Sequence, residues 1–425
     1  MVGQVGQLSV NIADNIMVGS LGAASLAAIA LSISILMLFV GVGYGISFGL
    51  PPLISEADAK NNTKRISQYF KHSFIINICF AIFSLILLLN ASPVLDLMGQ
   101  DSEVVILAKP YLVLSAWSMI PLMIFQTFRT YADGMSETKP AMIAILIGNV
   151  INIFLNYVLI FGKFGFAPMG VEGAALGTLI SRIFMIVVIV VIIYKWKNLW
   201  EYLSQCNFKR YSKSLFSKVL GIGVPTAMQM FFEMAIFSCA TIMMGYISKE
   251  AQAAHQIAIN LAAITFLICT GMAMAATIRV GNQLGLKDGL ALRRVGYSAI
   301  IQIVIFMSLA AILFIFLRHF LPTLYIEDQE VIRIAAFLII LAAIFQIPDG
   351  IQVTTLGALR GLQDVKIPTL ITFFAYFVVG LPTCFILAFY FDLGPTGIWT
   401  GLVVSLTVSA VLLGFRFNYL SKKYL

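Results

Sequence analysis

Three acidic residues stand inside apolar stretches of the sequence: Asp14, Glu233 and Asp349. The other sixteen of the nineteen acidic residues fall in loops or near the ends of apolar runs. A charge near the centre of a bilayer costs at least about 2.5–3.5 kcal/mol, so such residues are rare and are usually functional. Arg182 is the one basic residue well inside an apolar run, so the three acids cannot all belong to fixed ion pairs. Each must bind a proton, hold a metal cation or contact water, as the acids of an ion-coupled transporter do. For any one of them, a protonated carboxyl group bonded to a backbone carbonyl is the structural alternative.

A pair of asparagines offers neutral oxygen atoms in another apolar run. Asn152 and Asn156 are four residues apart and therefore share a helix face, with Asn149 one turn earlier. Asparagine carbonyls suit a hard cation, or they accept hydrogen bonds from a carboxyl group. Hydrogen bonding between helices without ion binding explains the same spacing. Both interpretations stay open.

Other residues near these acids have possible supporting roles. Phe231 and Phe232 precede Glu233 and are able to stack against a flat organic cation, although packing against lipid or protein is the default. His255 and Gln256 lie near the outer end of a predicted helix. An imidazole there is able to sense pH, but a hydrogen bond to a neighbouring helix is the preferred interpretation.

The composition shows what must surround these residues. Of 425 residues, 60% are hydrophobic and only 11% are charged, and the mean hydropathy is +0.97. A soluble protein carries roughly a quarter charged residues, so lipid must be the solvent for most side chains here. The formal net charge of +8 is spread through short loops, which argues against nucleic-acid binding.

Apolar runs long enough to cross a bilayer occur twelve times, since a helix needs roughly 20 residues for this. They cover residues 1–19, 28–54, 73–91, 108–128, 141–161, 172–194, 219–244, 252–277, 296–317, 334–357, 368–391 and 397–416. With this assignment, 21 of the 27 Lys and Arg residues fall on one side of the membrane and five on the other. The positive-inside rule then places both termini in the cytoplasm.

The sequence also repeats itself. IMVGSLGAASLAA at 16–28 aligns with IMMGYISKEAQAA at 242–254, and two further matches follow in order: Pro121, Gly134 and Lys139 with Pro348, Gly361 and Lys366, and Gly170, Gly173 and Gly177 with Gly394, Gly397 and Gly401. The nearly constant offset indicates a duplication. We therefore predict an all-α integral membrane protein of two pseudo-symmetric six-helix lobes, 1–194 and 219–425, joined by a cytoplasmic linker at 195–218. Repeated halves of this kind often hold a substrate between them and alternate access.

Features typical of enzymes are missing from the sequence. It contains no GxxxxGKS phosphate loop, no HExxH and no recognisable nucleophile and base arrangement. The five cysteines are scattered, which favours packing roles over disulfides or metal binding. We expect neither an enzyme nor a protein with an organic cofactor.

Several segments together resemble the multidrug and toxic compound extrusion (MATE) family, NorM branch. They are ADNIMVG at 13–19, ADGMSETKPAM at 132–142, FFEMAIF at 231–237, AAHQIAIN at 253–260, IRVGNQLG at 278–285, and PDGIQ with GALRGLQD within 348–364. The resemblance covers nearly the whole chain in order. It implies a twelve-helix, two-lobed antiporter of the bacterial inner membrane that exports cationic, amphiphilic drugs and dyes in exchange for Na+ or H+.

The resemblance also implies roles for individual residues. Glu233 and Asp349 match the cation-binding acids of the C-terminal lobe, with Na+ as the candidate metal. Asp14 matches the acid of helix 1, and Asn152 and Asn156 match the pair that accompanies it.

Two features depart from the family pattern. Phe345 stands four residues before Asp349, where relatives can carry tyrosine, so a hydroxyl group is lost near that acid and the coupling ion stays open. The start of the chain lacks the lead-in and the proline that usually begin helix 1. A shortened first helix and a start further upstream are both compatible with this.

We therefore expect a monomeric, ion-coupled exporter of organic cations, with the lipid bilayer, a monovalent cation and small organic cations as its partners and no nucleic acid. Two rival functions remain. A flippase of lipid-linked precursors shares this kind of architecture, but it needs a basic cavity for phosphate. A non-transporting receptor or scaffold offers no reason for three intramembrane acids.

Overall fold

The computed structural model describes residues 17–19, 21–97, 102–206 and 210–425, and within them regular structure is entirely helical. The helices are α1 (Ala23–Ser47), α2 (Pro51–Ala59), α3 (Thr63–Leu89), α4 (Ser92–Leu97), α5 (Ser102–Trp117), α6 (Met119–Gly134), α7 (Lys139–Phe161), α8 (Gly170–Lys195), α9 (Lys197–Ser204), α10 (Lys213–Ile247), α11 (Lys249–Leu286), α12 (Gly289–Leu317), α13 (Gln329–Gly361), α14 (Lys366–Phe373), α15 (Leu381–Phe385) and α16 (Gly394–Lys422). A short 3₁₀ turn at Leu321–Leu324 precedes α13, and π-helical turns at Phe374–Gly380 and Ile386–Tyr390 flank α15.

Eleven helical segments in the described residues are long and apolar enough to cross a membrane. They are Ala24–Ala59, Thr63–Leu89, Ser102–Gly134, Lys139–Phe161, Gly170–Lys195, Lys213–Ile247, Lys249–Leu286, Gly289–Leu317, Gln329–Gly361, Lys366–Tyr390 and Gly394–Lys422. They correspond in order to the second through twelfth predicted runs, and the first run, 1–19, lies almost wholly outside the described residues. The prediction of an all-α multi-pass membrane protein is confirmed.

Large apolar side chains on helix surfaces show where lipid acts as the solvent. Ile301, Ile305, Leu309, Ile312 and Phe316 follow one another at helical spacing on α12, and each is more than half exposed. Such a stripe is unfavourable in water, but hydrocarbon solvates it readily. The outer face of α12 is therefore a lipid-facing surface.

Proline explains the main breaks in the spanning segments. Pro51 and Pro52 begin α2 and separate it from α1, because proline has no N–H to donate to the preceding turn. Pro121 in the first turn of α6 follows the break at Ser118 in the same way. Pro382 lies in α15 between the two π-helical turns, so the wide turns occur where the hydrogen-bond ladder loses a donor. By contrast, α10 and α13 run continuously through Pro225 and Pro348.

Contacts divide the chain into two compact units, Met1–Ala227 and Met228–Leu425. In the first unit, a buried cluster including Leu36, Leu85, Leu112 and Met123 joins α1, α3, α5 and α6. In the second unit the largest cluster joins α11, α13 and α16 around Trp399, which is fully buried. Helices α11 and α13 pack closely there, since a Cβ added at Gly357 would lie 2.3 Å from the Ala273 carbonyl oxygen.

The repeated glycines have the same structural role in each unit. Gly170 begins α8 with a φ of 54°, and Gly394 begins α16 with a φ of 53°; both values lie in the left-handed region that favours glycine. Three residues later, Gly173 packs against the backbone of Leu159 and Gly397 against that of Leu387, in each case too closely for a Cβ. The internal repeat is thus visible in local packing as well as in sequence.

A candidate cation site in the second unit

A cavity of about 420 Å³ lies within the second unit between the second half of α10, α11 and α13. Its walls are mostly apolar, and the large side chains that form them are Met230, Met234, Phe237, Ile259, Phe266 and Phe345. Glu233 and Asp349 supply two carboxyl groups to this cavity, and Ser238 supplies a hydroxyl. The structure therefore brings together two residues that are 116 positions apart in the sequence and that sequence reasoning had assigned to one site.

The two carboxyl groups have no basic partner among the described residues. Neither forms an ion pair or a side-chain hydrogen bond with any residue that the structure describes. Asp349 is 4% exposed, and its buried Oδ1 atom accepts no hydrogen bond from the part of the chain that the structure describes. Glu233, on α10, is half-buried and reaches the cavity. An ionised group in such surroundings is stabilised chiefly by a positive partner, so both a proton and a metal cation are suitable ligands.

Two glutamines on α13 carry buried amide oxygens about one turn before and after Asp349, although neither is among the described residues that line the cavity. Gln346 and Gln352 lie three residues before and after it, so the three side chains occupy successive turns about 4.5 Å apart along the axis. Gln346 is 1% exposed, and neither polar atom of its amide has a partner among the described residues. Gln352 donates from Nε2 to the Tyr376 hydroxyl, and its Oε1 atom has no partner in the residues that the structure describes.

These glutamines were missed by sequence reasoning, although a signal was present. Residues at i−3 and i+3 of Asp349 share its side of the helix, and a polar residue at both positions within an apolar run is unusual. Native structures rarely leave buried amide groups unpaired, so each such group needs an explanation, and an ion or water site is one. Carboxylate and amide oxygens together form a donor set that suits a hard cation such as Na+.

The aromatic residues near the acids are arranged differently from the sequence prediction. Phe345 packs its ring 5.8 Å from Phe237 and 5.5 Å from Trp399, and it borders the cavity directly. Phe232 instead contacts the rings of Phe373 and Phe377 at 5.3 and 5.6 Å, and Phe231 is 47% exposed. The cavity walls are thus formed by Phe237, Phe266 and Phe345 rather than by the two phenylalanines that precede Glu233.

His255 is fully buried and ties three elements together. Its Nδ1 atom accepts a hydrogen bond from the Trp399 indole at 3.1 Å, and its Nε2 atom lies 3.1 Å from the Thr241 hydroxyl. Because an indole N–H only donates, Nδ1 must be unprotonated, and Nε2 carries the single proton toward Thr241. The structure agrees with the interhelical tie preferred from the sequence. Gln256 points elsewhere, since it is exposed and donates to Asn260 one turn along α11.

The asparagine pair lies in the first unit. Asn156 donates from Nδ2 to Oδ1 of Asn152 at 3.4 Å, and Asn152 lies 3.4 Å from Thr178 and 3.5 Å from Ser181 on α8. All three contacts are buried or partly buried, and they form a polar patch between α7 and α8. A Cβ at Gly177 would meet Asn156 Oδ1 at 2.3 Å, so this glycine makes room for the amide. Asp14, predicted to accompany the pair, lies outside the described residues.

Arg182 has a structural partner that the sequence did not indicate. Its Nη1 atom donates to the Ser118 hydroxyl at 2.6 Å and approaches the Ser118 carbonyl at 3.4 Å. Ser118 is the residue at the break between α5 and α6, and its carbonyl oxygen also accepts from the Leu122 N–H at 3.1 Å. The Arg182 guanidinium is therefore anchored at a helix break in the first unit.

Comparison with known proteins agrees with this architecture. A family model described as MatE matches residues 1–158 and 225–386. The probable multidrug resistance protein NorM of Mannheimia succiniciproducens is 34% identical over 433 residues, covering 100% of this chain and 92% of that protein. The protein of the same name from Rhizobium meliloti is 31% identical over 425 residues, covering 99% of this chain and 91% of that protein. The crystal structure of the eukaryotic MATE transporter AtDTX14 matches the fold with a TM-score of 0.88 at 21% identity, covering 100% of this chain and 95% of that one. The chain therefore belongs to the multidrug and toxic compound extrusion (MATE) family, in its NorM branch.

Proposed function

We propose that this chain is a secondary active multidrug exporter that exchanges cationic, amphiphilic organic compounds for Na+ or H+. Proteins of this family are transporters rather than enzymes, and the relatives in the NorM branch carry the name multidrug resistance protein. The two repeated halves, 1–194 and 219–425, are proposed to alternate access around the linker at 195–218. The coupling requires only that the ion and the organic cation favour different states, or compete for one site.

One observation carries this proposal: Glu233 and Asp349 share a largely apolar cavity without a basic partner among the described residues. Two buried carboxyl groups without counter-charges are unfavourable when ionised, and a small cation relieves that cost. A cavity whose ionised carboxyl groups are unfavourable without a bound cation is suited to exchanging one cation for another.

The additional oxygens favour Na+ of the two ions. A proton needs only one carboxylate oxygen, whereas a hard metal cation collects several oxygen ligands. Asp349 Oδ1, Gln346 Oε1 and Gln352 Oε1 lie on successive turns of α13 and have no hydrogen-bond partner in the described ranges, while Phe345 supplies no hydroxyl group. Glu233 and Asp349 are proposed as the charged ligands, and the two amide oxygens as neutral ones.

A second polar site is proposed in the first unit. It consists of Asp14, Asn152 and Asn156, and the hydrogen-bonded patch formed by the two asparagines supports it. Under this proposal the first-unit site binds a cation or holds a proton on Asp14, while the second-unit site holds the coupling ion. The protein is proposed to act as a monomer in the bacterial inner membrane, with both termini in the cytoplasm.

Efflux measured in proteoliposomes tests the function. Vesicles that contain the purified protein and ethidium are placed under an imposed Na+ gradient and then under a pH gradient, each without the other. We expect ethidium flux that depends on a cation gradient, and Glu233→Gln or Asp349→Asn should abolish it without abolishing membrane insertion. Glu327→Gln and Asp392→Asn remove exposed acids of the same types and should keep full flux. Full activity in both site variants would reject the assignment.

The same experiment separates the rival functions. A flippase of lipid-linked precursors needs basic side chains around a phosphate, whereas the second-unit cavity presents two acids. A receptor or scaffold predicts no gradient-dependent flux of any dye. Flux of ethidium driven by an ion gradient excludes both, and its absence under both gradients contradicts the exporter proposal.

A further inference from the structure

A separate pocket lies in the first unit, where the loop before α3 meets the segment before α10. It has a volume of about 420 Å³, and its polar lining consists of Asn62, Lys64, Arg65, Gln68, Ser212 and Ser214. A hollow of about 310 Å³ adjoins it, shares three of these residues, and adds Glu56, Lys60 and Lys218. We call the larger of the two the basic pocket.

The charges around the basic pocket do not balance. In the adjoining hollow Glu56 pairs with Lys60, and its Oε2 atom lies 3.9 Å from Lys218, so this carboxylate is already matched by two ammonium groups. The described residues that line the basic pocket itself include no acidic side chain. Lys64 and Arg65 are exposed there and form no ion pair with a residue in the described ranges. The pocket therefore presents uncompensated positive charge to a concave surface, which is the chemistry of an anion site.

The backbone around the pocket is held in place by side chains. Asn62 Oδ1 accepts from the Arg65 N–H at 3.1 Å at the start of α3, and His72 Nε2 accepts from the Ser212 N–H at 3.0 Å just before α10. Both helices begin at the pocket, so their positive ends add to the charge of the side chains. Hydroxyl groups of Ser212 and Ser214 provide further donors. A phosphate group fits this combination of a guanidinium, an ammonium and hydroxyl donors.

The position of the pocket along the membrane normal indicates that the phosphate group is that of a lipid headgroup. The spanning segment Ala24–Ala59 ends there, and the segments Thr63–Leu89 and Lys213–Ile247 begin there. Ends of spanning helices lie at the level of the lipid headgroups. The proposed orientation places these ends on the cytoplasmic side, whose leaflet carries anionic lipids that basic pockets between helices bind.

We propose that the basic pocket binds the headgroup of an anionic phospholipid, with the lipid phosphate held by Arg65 and Lys64 and by the hydroxyls of Ser212 and Ser214. This site is separate from the cation site of the second unit and does not depend on it. A lipid bound here contacts both α3 and the segment that leads into α10.

Binding of defined lipids to the purified protein tests the proposal. Native mass spectrometry in detergent measures the occupancy of dioleoylphosphatidylglycerol and dioleoylphosphatidylcholine, and inorganic phosphate is added as a competitor. The test variant is Lys64→Gln with Arg65→Gln. The control is Lys422→Gln with Lys423→Gln, which removes two exposed basic residues at the end of α16. All the changed side chains are exposed, and gel filtration together with thermal unfolding confirms that each variant is folded.

We expect phosphatidylglycerol to bind more tightly than phosphatidylcholine and the double variant at 64 and 65 to lose that preference. Its affinity should fall roughly 30-fold, because each basic residue near an anionic surface contributes about fivefold. The control should bind as the unchanged protein does. Equal binding of phosphatidylglycerol to both variants would overturn the proposal. Displacement of the lipid by millimolar inorganic phosphate would show that the pocket takes a free anion, and it would overturn the lipid assignment.

Discussion

Replacing Gln346 by methionine should stabilise the protein and weaken its coupling at the same time. The amide is 1% exposed, and both of its polar atoms lack partners among the described residues. An unpaired buried polar group costs about 1–3 kcal/mol, so an unbranched apolar side chain of similar length should raise the free energy of unfolding by that order. If the oxygen is a cation ligand, its loss removes about 1.5–3 kcal/mol of binding, which is roughly 10- to 150-fold in affinity for Na+.

Two measurements on the same preparation check this prediction. Thermal unfolding in detergent, followed by tryptophan fluorescence, reports the stability of Gln346→Met relative to the unchanged protein. Ethidium efflux at a series of Na+ concentrations gives the concentration that half-saturates transport. Gain of stability with loss of ion affinity is the pattern expected of a residue that is kept for function at a cost in stability.

Gln302→Met provides a matched control, because Gln302 is an exposed amide on α12. It should leave the half-saturating Na+ concentration unchanged. If Gln346→Met lowers stability, the amide must have a partner in the folded protein. If it leaves the half-saturating concentration unchanged, Gln346 is not a ligand, and the reasoning about the row of oxygens on α13 is refuted.

Three further predictions follow from the packing. His255→Phe leaves the Trp399 N–H without its acceptor, so it should lower the free energy of unfolding by about 1–3 kcal/mol in a melting experiment. The pH dependence of efflux should stay as before. A changed pH profile would instead show that His255 senses pH. Gly357→Val should abolish folded protein on gel filtration, because its Cβ would lie 2.3 Å from a backbone oxygen, whereas Gly414→Val, which has nothing within 4 Å of its Cβ, should purify normally. Asn152→Leu should reduce ethidium efflux while leaving the protein folded, and unchanged efflux would show that the asparagine patch is only an interhelical contact.

Much of the fold was predictable because a bilayer imposes one strong rule on the sequence. Each span needs roughly 20 apolar residues, and this length requirement alone located the eleven segments that the structure describes. The helix breaks were less predictable. Regular α-helix is interrupted at Ser118 and around Pro382, whereas it continues through Pro225 and Pro348. Proline weakens a helix at a known position, yet neighbouring helices decide whether it breaks.

The candidate site was predictable in its charges but not in its neighbours. An acid in an apolar run is conspicuous, so Glu233 and Asp349 could be selected from the sequence, and the family resemblance suggested their pairing. The neighbours depend on helix rotation, which a sequence does not contain. For this reason Phe231 and Phe232 were chosen for their proximity in sequence, whereas Phe237 and Phe266 form the wall in space.

Direct competition between ions and an organic cation tests the central claim most closely. Equilibrium binding of radiolabelled tetraphenylphosphonium to the purified protein is measured at increasing Na+ and, separately, at decreasing pH, for the unchanged protein and for Glu233→Gln with Asp349→Asn. The account predicts that Na+ or protons raise the dissociation constant of the unchanged protein, and that the double variant loses this dependence. Binding that is insensitive to both ions in the unchanged protein, or that responds equally in the double variant, would contradict it.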